Sequence, residues 1–299
     1  MSIDLLKARA FLATHGRLLD RRRFDLHEGQ GRPGDVLAAL TAYRNADGGY
    51  GWALEPDLRA PGSQPVGALH AFEVLAEVGP AGGGYAVGLC DWLGSVTLPD
   101  GGLPFALPID TADAVGSAPF WCQADPSQSS LHATAMVTAL AHQVAGNVPG
   151  VRDHPWLARA TEHCRREIEQ LEAPRSAHEF CFVLQFLDAA CDVLPGAATE
   201  LRRLGEHLPA TGALPVQGGA EGEALRPLDI SPRPGRPLRE LFTADVIATD
   251  LDRLAAEQQE DGGWHVDFVS HSAAGTLEWR GYATVRAVTI LRAHQRSRG

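Results

Sequence analysis

Carboxylates in two proline-rich stretches are the first residues whose types and spacing point to chemistry. Asp110 and Asp113 lie three apart in a loop. One of them would act as a general acid if burial and the other's charge raised its pKa. The same pair in solvent would only cap turns. Asp229, in Pro227-Leu228-Asp229-Ile230-Ser231-Pro232, is fixed by prolines and flanked by apolar residues. It suits either proton donation or a hydrogen bond that anchors its loop. Asp110, Asp113 and Asp229 are therefore the catalytic candidates. Glu55 and Asp57 stand in an equivalent place earlier in the chain.

His70, His132 and His178 fall on expected helices, the last two near a first turn. With Cys122 they offer the nitrogen and sulfur donors that zinc takes in tetrahedral geometry. Singly, each fits a hydrogen-bonded core histidine. Their spacing defines no ligand set, so no metal residue is assigned and neither zinc nor magnesium is expected as a cofactor. Trp52, Phe105, Phe120, Trp121, Trp264 and Trp279 present ring faces that attract cations. Of these, Trp52, Phe120, Trp121 and Trp279, with His132 and His178, are the candidate substrate-binding residues. Glu278 and Arg280 flank Trp279 and either line the same site or face solvent.

Several patterns carry no function. Gly29-Gln30-Gly31-Arg32-Pro33-Gly34 matches a dinucleotide fingerprint, but the charged Arg21-Arg22-Arg23-Phe24-Asp25 before it is no buried strand. His178-Glu179 lacks the second histidine of a zinc protease, and there is neither a nucleophile elbow nor a phosphate loop. Arg21 to Arg23 is the densest positive patch. It reads as a solvated helix end, or as a place for a diphosphate.

The elements that must position these residues are helices. The periodicity predicts ten: 5–19, 35–44, 63–78, 85–93, 127–144, 155–171, 174–193, 197–208, 238–259 and 277–294. Proline-rich loops occupy 103–124 and 212–237. Asp47-Gly48-Gly49-Tyr50, Asp100-Gly101-Gly102-Leu103 and Asp261-Gly262-Gly263-Trp264 each follow a helical run. Thr211-Gly212-Ala213-Leu214 is a worn copy. Paired glycines stop the helix, and the large residue after them turns into the core. Asp100 lies 53 residues after Asp47, and Asp261 follows at 161, about three such steps. A period of this size indicates stacked or circularised helical hairpins. Helices after the turns carry more small and apolar residues and those before them more charge, which suggests an inner and an outer ring.

These turns are where the chain resembles the prenyltransferase and squalene-cyclase repeat superfamily. Gln258 through Trp264 is close to its Gln-and-Trp repeat, and Asp47 to Gly51 precedes a helix in the same order as in protein prenyltransferase β subunits. The resemblance implies an all-α fold, an α/α toroid of two helical rings, as one domain over 1–299. It also implies a linear isoprenoid, or another hydrophobic small molecule, in the central cavity. The chain departs from the family in two places. There is no Asp-x-Asp-Asp run, and Asp125-Pro126-Ser127-Gln128 stands where an inner helix should begin with it. Cys122, Asp125 and His132 do not reproduce the spacing of the transferases' zinc ligands. A cyclase-like enzyme is therefore one expectation and a non-catalytic binding toroid another. A third, a carbohydrate-active barrel, needs two facing carboxylates about 5–9.5 Å apart.

Length and composition set outer limits. A chain of 299 residues can bury a substantial core. A net charge of −11 disfavours nucleic acid as a partner. No apolar run approaches the roughly 20 residues of a membrane span. Five widely spaced cysteines without a Cys-x-x-Cys pair fit buried thiols in a cytoplasmic protein. Aromatics at 7% are sparse for a cavity that folds a polycyclic terpene.

Overall fold

Short polar side chains and prolines start nearly every helix in the computed structural model, which describes residues 3–297. Asp4 opens α1 (Leu5–His15) by accepting the Lys7 N–H. Gly16 ends it, and α2 (Leu18–His27) follows. Then come α3 (Pro33–Thr41), α4 (Pro65–Val78), α5 (Gly83–Val96), the single turn α6 (Pro119–Cys122), α7 (Leu131–Ala145), the single turn α8 (Pro149–Arg152) and α9 (Pro155–Glu169). After these come α10 (Ala177–Ala190), α11 (Ala197–Gly205), a minimal hairpin of β1 (Leu214–Pro215) and β2 (Ala224–Leu225), α12 (Pro227–Ile230), α13 (Ala244–Ala256) and α14 (Ala273–Ser297). Proline begins α3, α4, α6, α8, α9 and α12, where its missing N–H costs nothing. Ser130, Ser176 and Thr243 cap α7, α10 and α13.

The protein is all-α apart from that hairpin. The expected helix over 5–19 is two helices, because the chain turns at Gly16. Arg21 to Arg23, expected beyond a helix end, lie inside α2. Arg23 is buried rather than solvated, since Glu77 of α4 accepts from its Nε and Nη2 at 2.9 and 2.7 Å. The expected helix over 238–259 begins late: a 3-10 turn covers Pro237–Leu241 before Thr243 restarts the backbone. The loop over 212–237 contains the hairpin and α12.

Two sets of helices alternate along the chain. In one, α4 packs on α7, α7 on α10 and α10 on α12, while α14 returns to pack on α2. Side chains bridge the remaining neighbours of this set: Arg23 joins α2 to α4, and Arg286 of α14 donates to Asp229 of α12. In the other set, α3 packs on α4, α5 on α4, α9 on α7, α11 on α10, α13 on α12 and α14, and α1 on α14. Small residues on α7 (Ala133, Ala135, Ala139, Ala141) are buried, which permits its close contact with α10. Buried side chains form two hydrophobic clusters. Both draw on α7, and Phe182 packs against each.

The three Asp-Gly-Gly turns share one geometry. The aspartate Oδ1 accepts the N–H of the second glycine at 2.9, 3.1 and 3.0 Å. The first glycine takes φ of 94°, 94° and 92°. Each aspartate also takes a donor from the loop before the following helix, Ser63 or Ser129, or, for Asp261, from Arg280 in the third turn of α14. In the worn copy, Thr211 Oγ1 replaces the carboxylate and accepts the Ala213 N–H at 3.4 Å. Gly262 has a further constraint, because a Cβ there would lie 2.3 Å from the Lys7 carbonyl of α1. Gly262→Ala should therefore lower stability by about 1–3 kcal/mol through strain alone. Gly34→Ala, in open space on α3, should be neutral or slightly stabilising. Urea denaturation of the two variants measures this difference.

Candidate functional site

Two consecutive non-glycine residues, Trp52 and Ala53, adopt left-handed φ of 54° and 60° just after the first glycine turn. Such a conformation costs energy and persists only where surroundings impose it. Here the Trp52 indole donates to Asn45 Oδ1 at 2.7 Å, and the Trp52 N–H donates to the Ala60 carbonyl. The turn that results delivers Glu55 and Asp57 to buried positions beside α4 and α14.

Glu55 Oε2 lies 2.7 Å from His70 Nε2, and Glu73 Oε2 lies 3.0 Å from His70 Nδ1. Tyr282 of α14 donates to Glu73 Oε1 at 2.7 Å. His70 is 5% exposed. Burial alone would depress its pKa, but the charges of Glu73 and Glu55 and their hydrogen bonds raise it to about 9. The imidazole is thus a cation between two carboxylates. Burial opposes the charge of Glu73 as well, and His70 and Arg23 outweigh it, lowering its pKa. At Glu77 burial is likewise overcome by Arg23 and His27, and the pKa falls to about 2.

Asp57 gathers a second set of donors. Its Oδ1 accepts from Ser270 Oγ at 2.7 Å and from the His271 N–H at 3.0 Å, and its Oδ2 from Trp279 Nε1 at 2.8 Å. Its carbonyl takes the Ala118 N–H. Nearby, Arg59 pairs with Glu278 at 2.7 Å, and its N–H donates to Ser117 Oγ. One buried carboxylate therefore fixes the segment before α14, while the backbone beside it fixes the loop before α6.

An aromatic wall adjoins this network. Phe105 and Trp121 stack at 4.9 Å between centroids, with Phe120 tilted against Trp121 at 5.0 Å. His132 meets Phe105 edge-on at 5.3 Å, lies 5.0 Å from Phe182 and stacks on His178 at 6.2 Å. Burial, and then the proximity of His178, push His132 down to about 3, so it is a neutral ring at physiological pH. Phe120 also meets His271 at 6.3 Å, and His70 meets Trp279 at 6.1 Å. Through His271, Asp57 and Trp279 the wall is continuous with the charged network.

The expected residues divide accordingly. Phe120, Trp121, His132 and His178 come together in the wall, and Trp279 joins the network. Trp52 is 56% exposed and bound to Asn45. Asp110 and Asp113 are exposed on a surface turn in which the Asp113 N–H donates to the Asp110 carbonyl. Neither has the burial an acid catalyst needs. Asp229 accepts from Arg286 Nη1 at 2.5 Å and from the Arg226 N–H at 2.8 Å, which suits it to anchoring α12. Among the described residues, no three His, Cys, Asp or Glu side chains are grouped to hold a metal ion. Cys122 is exposed.

Sequence reasoning missed His70 as a charged centre and did not weigh Glu73 or Tyr282. Glu73 lies one helical turn after His70, a spacing that signals a facing pair. Tyr282 is 209 residues from Glu73 and carries no such signal. Glu179, next to His178, was also missed: burial raises its pKa, Arg175 opposes that rise and Glu167 adds to it. Among the described residues, no helix is long and apolar enough to cross a membrane.

No protein-family model matches this chain, and no curated protein matches its sequence.

The charged centre has a definite pH signature. A histidine raised from 6.5 to about 9 stabilises the fold fully below pH 6.5, and that contribution is lost as pH rises through about 9. Glu77 acts in the opposite sense: its contribution is present above pH 4.5 and is lost as pH falls toward about 2. The melting temperature should decline between pH 6.5 and about 9. His70→Gln should flatten that slope and cost about 3–5 kcal/mol at pH 6.5, because two buried carboxylates lose their cation. Thermal melts across pH measure both effects. Asp57→Asn places an amide group where three donors converge. Each lost charge-assisted bond costs about 1.5–3 kcal/mol. Amide exchange should accelerate over 265–272 while α9 keeps its protection, as read by hydrogen-exchange mass spectrometry.

Proposed function

We propose that this chain is an α/α toroid that binds a linear apolar molecule of the isoprenoid type at one end of its inner ring. Three features support the ring: the helix contacts alternate, α14 returns to α1 and α2, and Arg286 spans to α12. On this reading α2, α4, α7, α10, α12 and α14 are the inner helices and residues 1–299 form one unit.

The observation that carries the ligand reading is the aromatic wall of Phe105, Phe120, Trp121, His132 and Phe182. It stands at the N-terminal ends of α7 and α10, and its histidine is neutral. Ring faces and an uncharged imidazole suit an unsaturated hydrocarbon chain better than a sugar. The carboxylates Glu55 and Glu73, which a glycosidase would need to keep available, are both committed to His70.

The same geometry favours binding over acid-initiated cyclisation. Protonating an alkene takes a strong acid, whereas an imidazolium with a pKa near 9 is a weak one. Asp229, the best-placed carboxylate of those expected from the sequence, accepts from a guanidinium. The apolar rings would therefore hold the chain, and the charged network would keep the loops of the mouth in place.

Native mass spectrometry of protein expressed in an isoprenoid-producing host tests this reading. A terpenoid should co-purify, and Phe182→Ala should reduce its occupancy about tenfold, compared well below the variant's melting temperature because Phe182 packs against both hydrophobic clusters. Protein that emerges empty, and that takes up no added isoprenoid, would overturn the ligand assignment and leave a non-binding scaffold.

A further inference from the structure

The protein contains six tryptophans, and four of their indoles donate to a defined acceptor. Trp52 donates to Asn45 Oδ1, Trp156 to Thr97 Oγ1, Trp264 to the Leu254 carbonyl and Trp279 to Asp57 Oδ2. Trp121 differs. It is 8% exposed, and its Nε1 is buried with no hydrogen-bond partner. A buried donor without an acceptor is costly, so native proteins rarely leave one without a use.

Its setting bears on that use. Trp121 sits on α6, stacked on Phe105 and tilted against Phe120, in the wall assigned above to an apolar chain. The rings around it offer faces and edges, and none of them accepts the indole proton. His132 contacts Phe105 and Phe182, and no hydrogen bond joins it to Trp121. Phe120 is 49% exposed, so it can swing aside for a ligand without opening the core. The loop carrying α6 is meanwhile held at Ala118 and Ser117 by Asp57 and Arg59. The donor therefore stays in place when a ligand arrives.

We infer that the Trp121 indole N–H is a recognition group for an oxygen atom on the ligand, and that the wall takes an oxygen-bearing isoprenoid, such as an alcohol, in preference to a hydrocarbon. This rests on the isoprenoid reading and narrows it. A hydrocarbon fills the wall but leaves the donor unpaired, whereas an alcohol pairs it. Sites built to pair a polar group discriminate strongly against ligands that lack it. Trp121 is thus a specificity-determining residue, and the preference it sets is independent of any reaction.

Equilibrium binding of farnesol and of farnesene, each delivered from cyclodextrin and corrected for its partition coefficient, tests the inference. Wild-type protein should bind farnesol at least tenfold more tightly. Trp121→Phe removes the donor and part of the ring face, so it should weaken farnesene modestly and farnesol much more, bringing the two ligands to the same affinity. Phe105→Leu should weaken both ligands alike. Equal binding of the two ligands by wild-type protein would overturn the inference and leave the isoprenoid reading standing, as would a preference that survives Trp121→Phe. If neither ligand binds, the isoprenoid reading falls and this inference falls with it. If Trp121→Phe does not fold, the wild-type comparison decides: a preference below twofold overturns the inference.

Discussion

An aspartate that holds the amide of the second glycine after it is the constraint on which this architecture depends. Asp47, Asp100 and Asp261 each close a turn between a helix of one set and a helix of the other. The same carboxylate takes a donor from the loop before the next helix or, at Asp261, from Arg280 within α14, so the turn fixes the direction in which that helix runs. The residue after the second glycine (Tyr50, Leu103, Trp264) is fully buried or nearly so. Its backbone is tied to the next helix: the N–H groups of Leu103 and Trp264 donate to Thr134 and Thr284, and the Tyr50 carbonyl accepts from Gln64. One local motif thereby sets both the chain reversal after a helix and the packing of its successor.

Turns of this kind position helices but leave the two ends of the chain to be joined. Polar side chains make that join. Gln258, beside the last glycine turn, exchanges hydrogen bonds with the backbone of Asp4. Arg23, Glu73, Glu77 and Tyr282 tie α2, α4 and α14 together, and the Arg23 guanidinium lies 5.5 Å from the Tyr282 ring centroid. Buried charges are costly, and they are tolerated here because each is paired. The charged network then inherits a rigid frame: Glu55 and Asp57 reach it from a strained turn, and the segment before α14 is fastened to Asp57.

Much of the architecture was legible in the sequence. The helix starts at α4, α9 and α11 follow from proline or glycine at or just before the first turn. The three glycine turns lie between helices as read, although α3, α5 and α13 already end at Thr41, Val96 and Ala256, before the glycines. The misreadings have local causes. Gly16 broke a helix because its backbone is extended there, and Arg23 defied its neighbours Arg21 and Arg22 by facing Glu77. Phe120, Trp121, His132 and His178, singled out from a proline-rich loop and two helix starts, lie together in the structure. Asp110 and Asp113, singled out as a carboxylate pair, and Trp52, singled out for its ring face, lie at the surface.

The sequence by itself determined the class of fold, because helix caps, stops and apolar periodicity act within a few residues. It also marked the aromatic residues of the wall. Tertiary structure alone decided which charges meet. His70 becomes a cation because Glu55 arrives from a turn 15 residues away, and Glu73 is oriented by a tyrosine 209 residues further on. Electrostatic character depends on distance in space and on burial, and neither is written in the local order of residues.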